Sequence, residues 1–350
     1  MEFGFNVPNS GVLATPGDIA TISQRGEDLG FGILAIPDHI VFPRSISSRY
    51  PYSADGAFTF AQDFEGDFLE PLALMAHLAA ITKKARILTS VMVVPYRDPI
   101  LTAKLVSTMD VLSEGRIVLG CGAGWMEEEF IAVNAPPFKE RGKVTDEYIA
   151  AFRELWSAEN PSFKGKYTEF SDIFFAPKPV QDPHPPIWIG GESMPAIRRT
   201  ARLGDCWYPI GCNPHHPLDT IAKYSAGLDS LKAEAEKVDR DPASIDLAFW
   251  AVWFGGDTPT MLESGERMML TGGAQDIAGD IKALEELGVR HVLFNFLGAS
   301  LEESLANMEG FAAAIAGTTP YRFDNAQMIH DVAALDAIKR SLISGKREAV

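Results

Sequence analysis

Short, β-branched apolar runs alternate with stretches of helical periodicity along most of the chain, the pattern of repeated strand–helix units on a parallel sheet. Eight runs predict strands: Phe3–Val7, Phe31–Pro37, Arg86–Val94, Ile117–Leu119, Pro186–Ile189, Cys206–Ile210, Ile245–Phe254 and Val289–Phe296. Helices are predicted from near Pro16 to before Gly30, then over Leu72–Ile81 and Pro99–Leu112. The next is split by Pro136-Pro137, its longer part running over Lys139–Trp156. Pro195 opens another, at a first turn where a missing amide does no harm. Leu218–Val238, Asp276–Leu287 and Leu301–Ala316 complete the set. Two stretches break the rhythm. Residues Ile40–Leu69 are aromatic, Ser-rich and aperiodic, and a loop of that length in a compact domain is usually functional, so it reads as a lid or pocket wall. Gly165–Pro185 reads as a hairpin-like surface excursion. This predicts one catalytic domain over residues 1–316 and a helical extension over 317–350, carried by an amphipathic segment near Gln327–Leu342.

Composition fits that picture. The 350 residues are 46% hydrophobic and 22% charged, a globular balance, and parallel barrels of about 250 residues grow by insertion to such lengths. Lys and Arg number 31 against 47 Asp and Glu, a net charge of −16. Without basic patches to replace counterions, no nucleic-acid partner is expected. Cys121, Cys206 and Cys212 are odd in number and lack Cys-x-x-Cys spacing, so neither a disulfide framework nor a metal site is expected, and a cytoplasmic setting fits. No apolar run reaches the roughly 18 residues of a membrane span, and the first residues lack the form of a signal peptide.

The candidate chemistry sits at strand ends. GRIVLGCGAGWMEEEF, Gly115–Phe130, reads as strand, tight turn and helix start. Gly120, Gly122 and Gly124 remove side chains where backbone must turn or approach a ligand, and Glu127, Glu128 and Glu129 suit a first helical turn. Gly122, Ala123, Gly124 and Trp125 thus lie where parallel α/β folds place ligands. At the end of the second strand, His39 can reach a central cleft and exchange protons near neutral pH. Asp38 points the other way along the strand, so it caps a loop or holds a neighbour. Gly190-Gly191-Glu192-Ser193 before a helix has the parts of an anion cradle: bare amides, a hydroxyl and a helix amino end, with Arg198 or Arg199 able to add charge. A simple turn with Ser193 as N-cap is the plainer alternative. His215-His216 reads as an exposed pair, and the aromatics of Ala248–Phe254 as core.

GRIVLGCGAGWMEEEFIAVNAPPFKERGKVTDEYIAAFRELW resembles the signature of the bacterial luciferase-like oxidoreductases. PPIWIGGESMPAIRRTARLGDCW resembles the same family's phosphate segment, and PDHIVFP with SRYPYSADG is similar to its deazaflavin-associated branch. The resemblance implies a (β/α)8 TIM barrel with insertions, holding coenzyme F420 or FMN at the carboxyl end. Gly191, Glu192 and Ser193 would contact the cofactor phosphate. Thr89-Ser90-Val91 would press on the ring face through a non-prolyl cis peptide at Ser90–Val91. His39 would be the catalytic proton donor or acceptor, and Asp38 a cofactor contact. Trp125 stands where the family's sugar-phosphate dehydrogenase has a glutamate acid, which removes any reason to expect a sugar phosphate. Arg141 would tie the helical arm through Asp146 or Glu147. The expected activity is hydride transfer between F420 and a small, apolar organic substrate, in a homodimer. An FMN-dependent monooxygenase served by a separate cofactor reductase is the alternative. A hydrolase or lyase using His39 with Asp38, His215 or Glu65, and a cofactor-binding protein without turnover, are the remaining readings.

Overall fold

The computed structural model describes residues 1–58, 67–252 and 258–316. Eight parallel strands close into a barrel: β1 (Glu2–Asn6), β2 (Ile33–Ile36), β3 (Arg86–Thr89), β5 (Ile117–Gly122), β8 (Ile187–Gly190), β9 (Cys206–Tyr208), β10 (Asp246–Ala251) and β11 (His291–Phe294). Each pairs with its neighbours, β1 lies beside β11, and the β3–β5 pairing completes the ring. The short β4 (Met92–Val93) continues β3 past a break and pairs with the upper part of β5. The single run Arg86–Val94 is therefore two pieces. A hairpin of β6 (Phe163–Lys164) and β7 (Glu169–Phe170) lies in the predicted excursion.

Around the barrel stand α1 (Pro16–Asp28), α2 (Pro71–Ile81), α3 (Pro99–Leu112), α4 (Glu127–Ala132), α5 (Arg141–Ser157), α6 (Met194–Leu203), α7 (Ile221–Glu236), α8 (Ala274–Glu286) and α9 (Leu301–Ala316). Thr15, Glu70 and Asp98 cap α1, α2 and α3 by accepting amides with their side chains, and each is followed by proline. Pro136-Pro137 separates α4 from α5, as the sequence predicts.

Strand alternation divides the core in two. Ile33, Ala35, Leu88, Val118, Trp188, Cys206, Tyr208, Ala248 and Leu293 fill the barrel. Their neighbours Leu34, Ile36, Ile87, Ile117, Leu119, Ile187, Ile189, Trp207, Phe249, Val292 and Phe294 face the helices. At the amino end, Glu2, Arg86 and His291 form a charged plug against Trp188. The carboxyl end is left for loops. Glu65, Phe60, Phe64, Trp253, Phe254 and the 317–350 extension lie outside the described residues. Among the described residues no helix is long and apolar enough to cross a membrane.

Candidate active site

β2 delivers Asp38 and His39 to the barrel mouth, and they turn apart as alternation requires. Asp38 is buried; Arg97 donates to both its oxygens at 2.8 Å, and the Val93 amide donates to one of them at 2.8 Å. Arg97 also donates to Glu70 at 2.7 Å. Asp38 is therefore a strut holding a neighbour, as the strand geometry predicts. Three donors from its own fold fix this carboxylate in place.

His39 turns into the mouth with 15% of its side chain exposed. Its Nδ1 lies 2.7 Å from Oε2 of Glu129, which is fully buried at the start of α4. Tyr96 donates its hydroxyl to the same oxygen at 2.9 Å, and the amides of Ile40 and Val41 donate to Oε1 at 2.7 and 3.2 Å. Burial alone would raise the Glu129 carboxyl. The His39 contact, the Ile40 amide and Tyr96 outweigh it and hold the group below the ordinary carboxylate range. A carboxylate only accepts, so Nδ1 carries the proton and Nε2 is left free to exchange one. The neighbouring Glu128 accepts the amides of Ser47 and Ser48 at 2.6 and 3.0 Å. Two consecutive glutamates thus pin the loop after β2 at two points.

That loop brings aromatic rings around His39. Phe42, Phe58, Phe68 and Trp125 have ring centroids 4.5, 5.9, 5.6 and 6.4 Å from the imidazole. Tyr50 packs on Phe58 and Trp125, each at 5.0 Å. The described parts of Ile40–Leu69 thus place four aromatic rings, Phe42, Tyr50, Phe58 and Phe68, in one cluster with His39 and Trp125.

The break between β3 and β4 is a cis peptide at Ser90–Val91, where the resemblance places it. Thr89 donates its hydroxyl to the Gly120 carbonyl at 2.8 Å, and Ser90 Oγ lies 2.9 Å from the Tyr208 hydroxyl. Val91 sits between Gly122 and Gly190. A Cβ on either glycine would stand 2.6 or 2.9 Å from a Val91 methyl, so only bare backbone lets this floor form. Gly124 closes the turn, and its carbonyl accepts from Arg141 Nε at 3.1 Å. Arg141 is a structural tie, but to this carbonyl and over the Phe138 ring. Asp146 instead pairs with Arg199 and Arg202, and Glu147 takes the amides of Lys166, Tyr167 and Thr168.

After β8, Gly190 and Gly191 lead into α6 with Ser193 as N-cap; its side chain makes no capping bond, so its hydroxyl is not used by the helix. Glu192 turns inward, 6% exposed, accepting from the Ile210 amide at 2.7 Å and Asn213 Nδ2 at 3.0 Å. Burial dominates these two bonds and pushes its carboxyl up to about 7. Arg199 is buried against Asp146, and Arg198 faces Glu234 at 3.5 Å. Both arginines thus have acidic partners outside this turn. His215 and His216 are exposed. Among the described residues no three His, Cys, Asp or Glu side chains group as metal ligands.

The sequence reading missed Glu129 as the partner of His39. One signal was present: successive helical residues turn by about 100°, so three glutamates in one turn cannot all face solvent. Tyr96, Arg97, Glu70 and Tyr208 carried none, because their roles depend on contacts between distant strand ends.

The model of the luciferase-like monooxygenases matches residues 1–261. The chain belongs to this family. An FMNH2-dependent dimethylsulfone monooxygenase of Pseudomonas putida is 31% identical over 47% of this chain and 44% of its own. An F420-dependent glucose-6-phosphate dehydrogenase of Amycolatopsis mediterranei is 31% identical over 54% of this chain and 52% of its own. The chain thus spans about half the length of each. The crystal structure of the monooxygenase RslO1 from Streptomyces bottropensis superposes with a TM-score of 0.69 and 18% identity, over 91% of this chain and 99% of that one. The fold is thus that of the luciferase-like barrels, and the family is one of oxidoreductases with both F420- and FMN-dependent members.

Proposed function

We propose that this protein transfers hydride between coenzyme F420 and a small, apolar organic substrate, with His39 giving or taking the accompanying proton. The observation that carries the reading is the His39–Glu129 pair inside an aromatic cup. One free imidazole nitrogen is oriented by a buried carboxylate, and the surrounding rings offer a partner little but apolar surface.

The residues fit a ring cofactor with a phosphate. Thr89, Ser90, Val91, Gly122, Ala123, Gly124 and Trp125 would hold the ring, with the Thr89 hydroxyl fixing the Gly120 carbonyl. Gly191, the Glu192 backbone and the unused Ser193 hydroxyl would take the phosphate. Bound there, the deazaflavin would accept or release the hydride. The chain would contribute position, exclusion of water and the proton at His39 Nε2.

Paired fluorescence titrations with F420 and FMN, repeated on Ser193→Ala, test this. Micromolar or tighter F420 binding that Ser193→Ala weakens is expected; binding of neither cofactor contradicts it. An FMN-dependent monooxygenase supplied by a separate reductase is the second reading, favoured by the similarity to the Pseudomonas putida enzyme. Preference for FMN would support it.

A further inference from the structure

The turn that would hold the cofactor phosphate has an unusual charge balance. A phosphomonoester such as FMN carries close to two negative charges above about pH 6, whereas the phosphodiester of F420 carries one. A helix amino end supplies roughly half a positive charge together with its amides. The first arginine of α6, Arg198, faces Glu234, and the second, Arg199, is enclosed with Asp146 and the Gly142 carbonyl. The turn itself carries an acid. Glu192 is buried between Gly191 and Ser193 and meets only neutral donors, the Ile210 amide and Asn213.

The other titratable groups that couple to it are Tyr52 from the loop after β2 and Cys212 from the loop after β9. Burial raises both, so neither is charged near neutrality. Tyr50, which couples to Cys212, is likewise raised by burial. No cation pairs with Glu192 among the described residues.

We infer that Glu192 makes this turn a charge filter, accepting a singly charged phosphodiester and rejecting a doubly charged phosphomonoester, and that it must hold a proton while the phosphate is bound. The inference rests on the proposed placement of the phosphate and adds which phosphate class is taken. Its pH dependence has a definite sign. With the carboxyl titrating near 7, the turn is neutral in mildly acidic solution and gains a negative charge as pH rises. Phosphate affinity is then full below pH 7 and falls above it by up to tenfold per pH unit. Glutamine, which cannot ionise, removes the fall.

The test separates phosphate from ring. Dissociation constants are measured at pH 6, 7, 8 and 9 for F420 and its phosphate-free deazaflavin fragment, and for FMN and riboflavin. The ratio within each pair is the gain due to the phosphate-bearing arm. We expect a gain of tenfold or more for F420 at pH 6 that shrinks by pH 9. For FMN at pH 8 we expect a gain near one or below. Glu192→Gln should flatten the F420 profile and raise the FMN gain. Calorimetry of wild type at pH 8, in buffers of different ionisation enthalpy, should show about one proton taken up with F420, a readout that holds even if the variant fails to fold. Equal gains for the two phosphates, or no proton uptake with a pH-independent gain, would overturn the charge filter while leaving the ring site standing. Failure of all four compounds to bind would instead remove the cofactor site on which the inference rests.

Discussion

Glu129→Gln should invert the imidazole tautomer of His39, and the structure dictates which way. Oε1 of Glu129 accepts two backbone amides, Ile40 and Val41, that have no alternative role as acceptors. The amide oxygen of a glutamine must therefore stay on that side. Its NH2 then faces His39 Nδ1 and Tyr96, at positions now 2.7 and 2.9 Å from Oε2. A donor opposite Nδ1 forces that nitrogen to accept and moves the proton to Nε2. The substitution exchanges a charge-assisted bond, worth about 1.5–3 kcal/mol, for a neutral one, so a stability loss of about 2 kcal/mol is expected. The larger effect is chemical. General acid–base steps contribute about 10²–10⁴ in rate, and turnover in the direction that needs Nε2 as acceptor should fall by at least the lower figure. Tyr96→Phe removes a hydroxyl donated to the same ionised carboxylate, should cost about 1.5–3 kcal/mol, and should leave the tautomer alone. Long-range proton–nitrogen correlation spectra of the histidine rings read the tautomer directly. An unchanged His39 pattern in Glu129→Gln would refute the claim that this carboxylate sets it.

Three further outcomes follow from the same contacts. Arg97→Ala strands the buried Asp38 carboxylate and should cost about 3–5 kcal/mol by denaturant unfolding, with part of the loss recovered in Arg97→Ala/Asp38→Asn. Gly120→Ala should prevent stable folding or cost about 3 kcal/mol or more, because its Cβ would stand 1.9 Å from the Thr89 carbonyl oxygen; normal thermal unfolding of the variant would contradict the geometry. The Glu192 carboxyl, raised from 4.5 to about 7, favours the folded state fully below pH 4.5 and loses that contribution as pH rises through 7. This amounts to about 3 kcal/mol, so Glu192→Gln should flatten stability between pH 5 and 8. Glu129 acts in the opposite sense: its lowered carboxyl stabilises the loop after β2 above pH 4.5 and releases it as pH falls further, which hydrogen exchange of Ile40 and Val41 would report.

Much of this architecture is local enough to read from residue order. The eight apolar runs each became a barrel strand, and the proline-opened helices start where a missing amide is harmless. His39 and the glycine turns were legible because strand ends in a parallel barrel converge whatever their sequence. The break inside Arg86–Val94 was invisible to periodicity, since apolar residues continue across it; only the family resemblance placed it at Ser90–Val91. The partners of Asp38 and Arg199, Arg97 and Asp146, were also hidden. Each comes from another strand–helix unit, and propensity carries no information about such pairs. Arg199 looked like a cation for the Gly190–Ser193 turn by sequence distance, yet Asp146 of α5 captures it.

The central claim is a hydride exchange in which His39 handles the proton. Its most direct test is anaerobic: reduced F420 is mixed with wild type or His39→Ala and a panel of small apolar carbonyl compounds, and recovery of the oxidised deazaflavin absorbance is followed. Recovery with at least one carbonyl compound in wild type, slowed 10²-fold or more in His39→Ala while F420 still binds, is the predicted result. Equal rates in both proteins would remove His39 from the mechanism, and activity that requires oxygen and reduced FMN instead would contradict the proposed reaction.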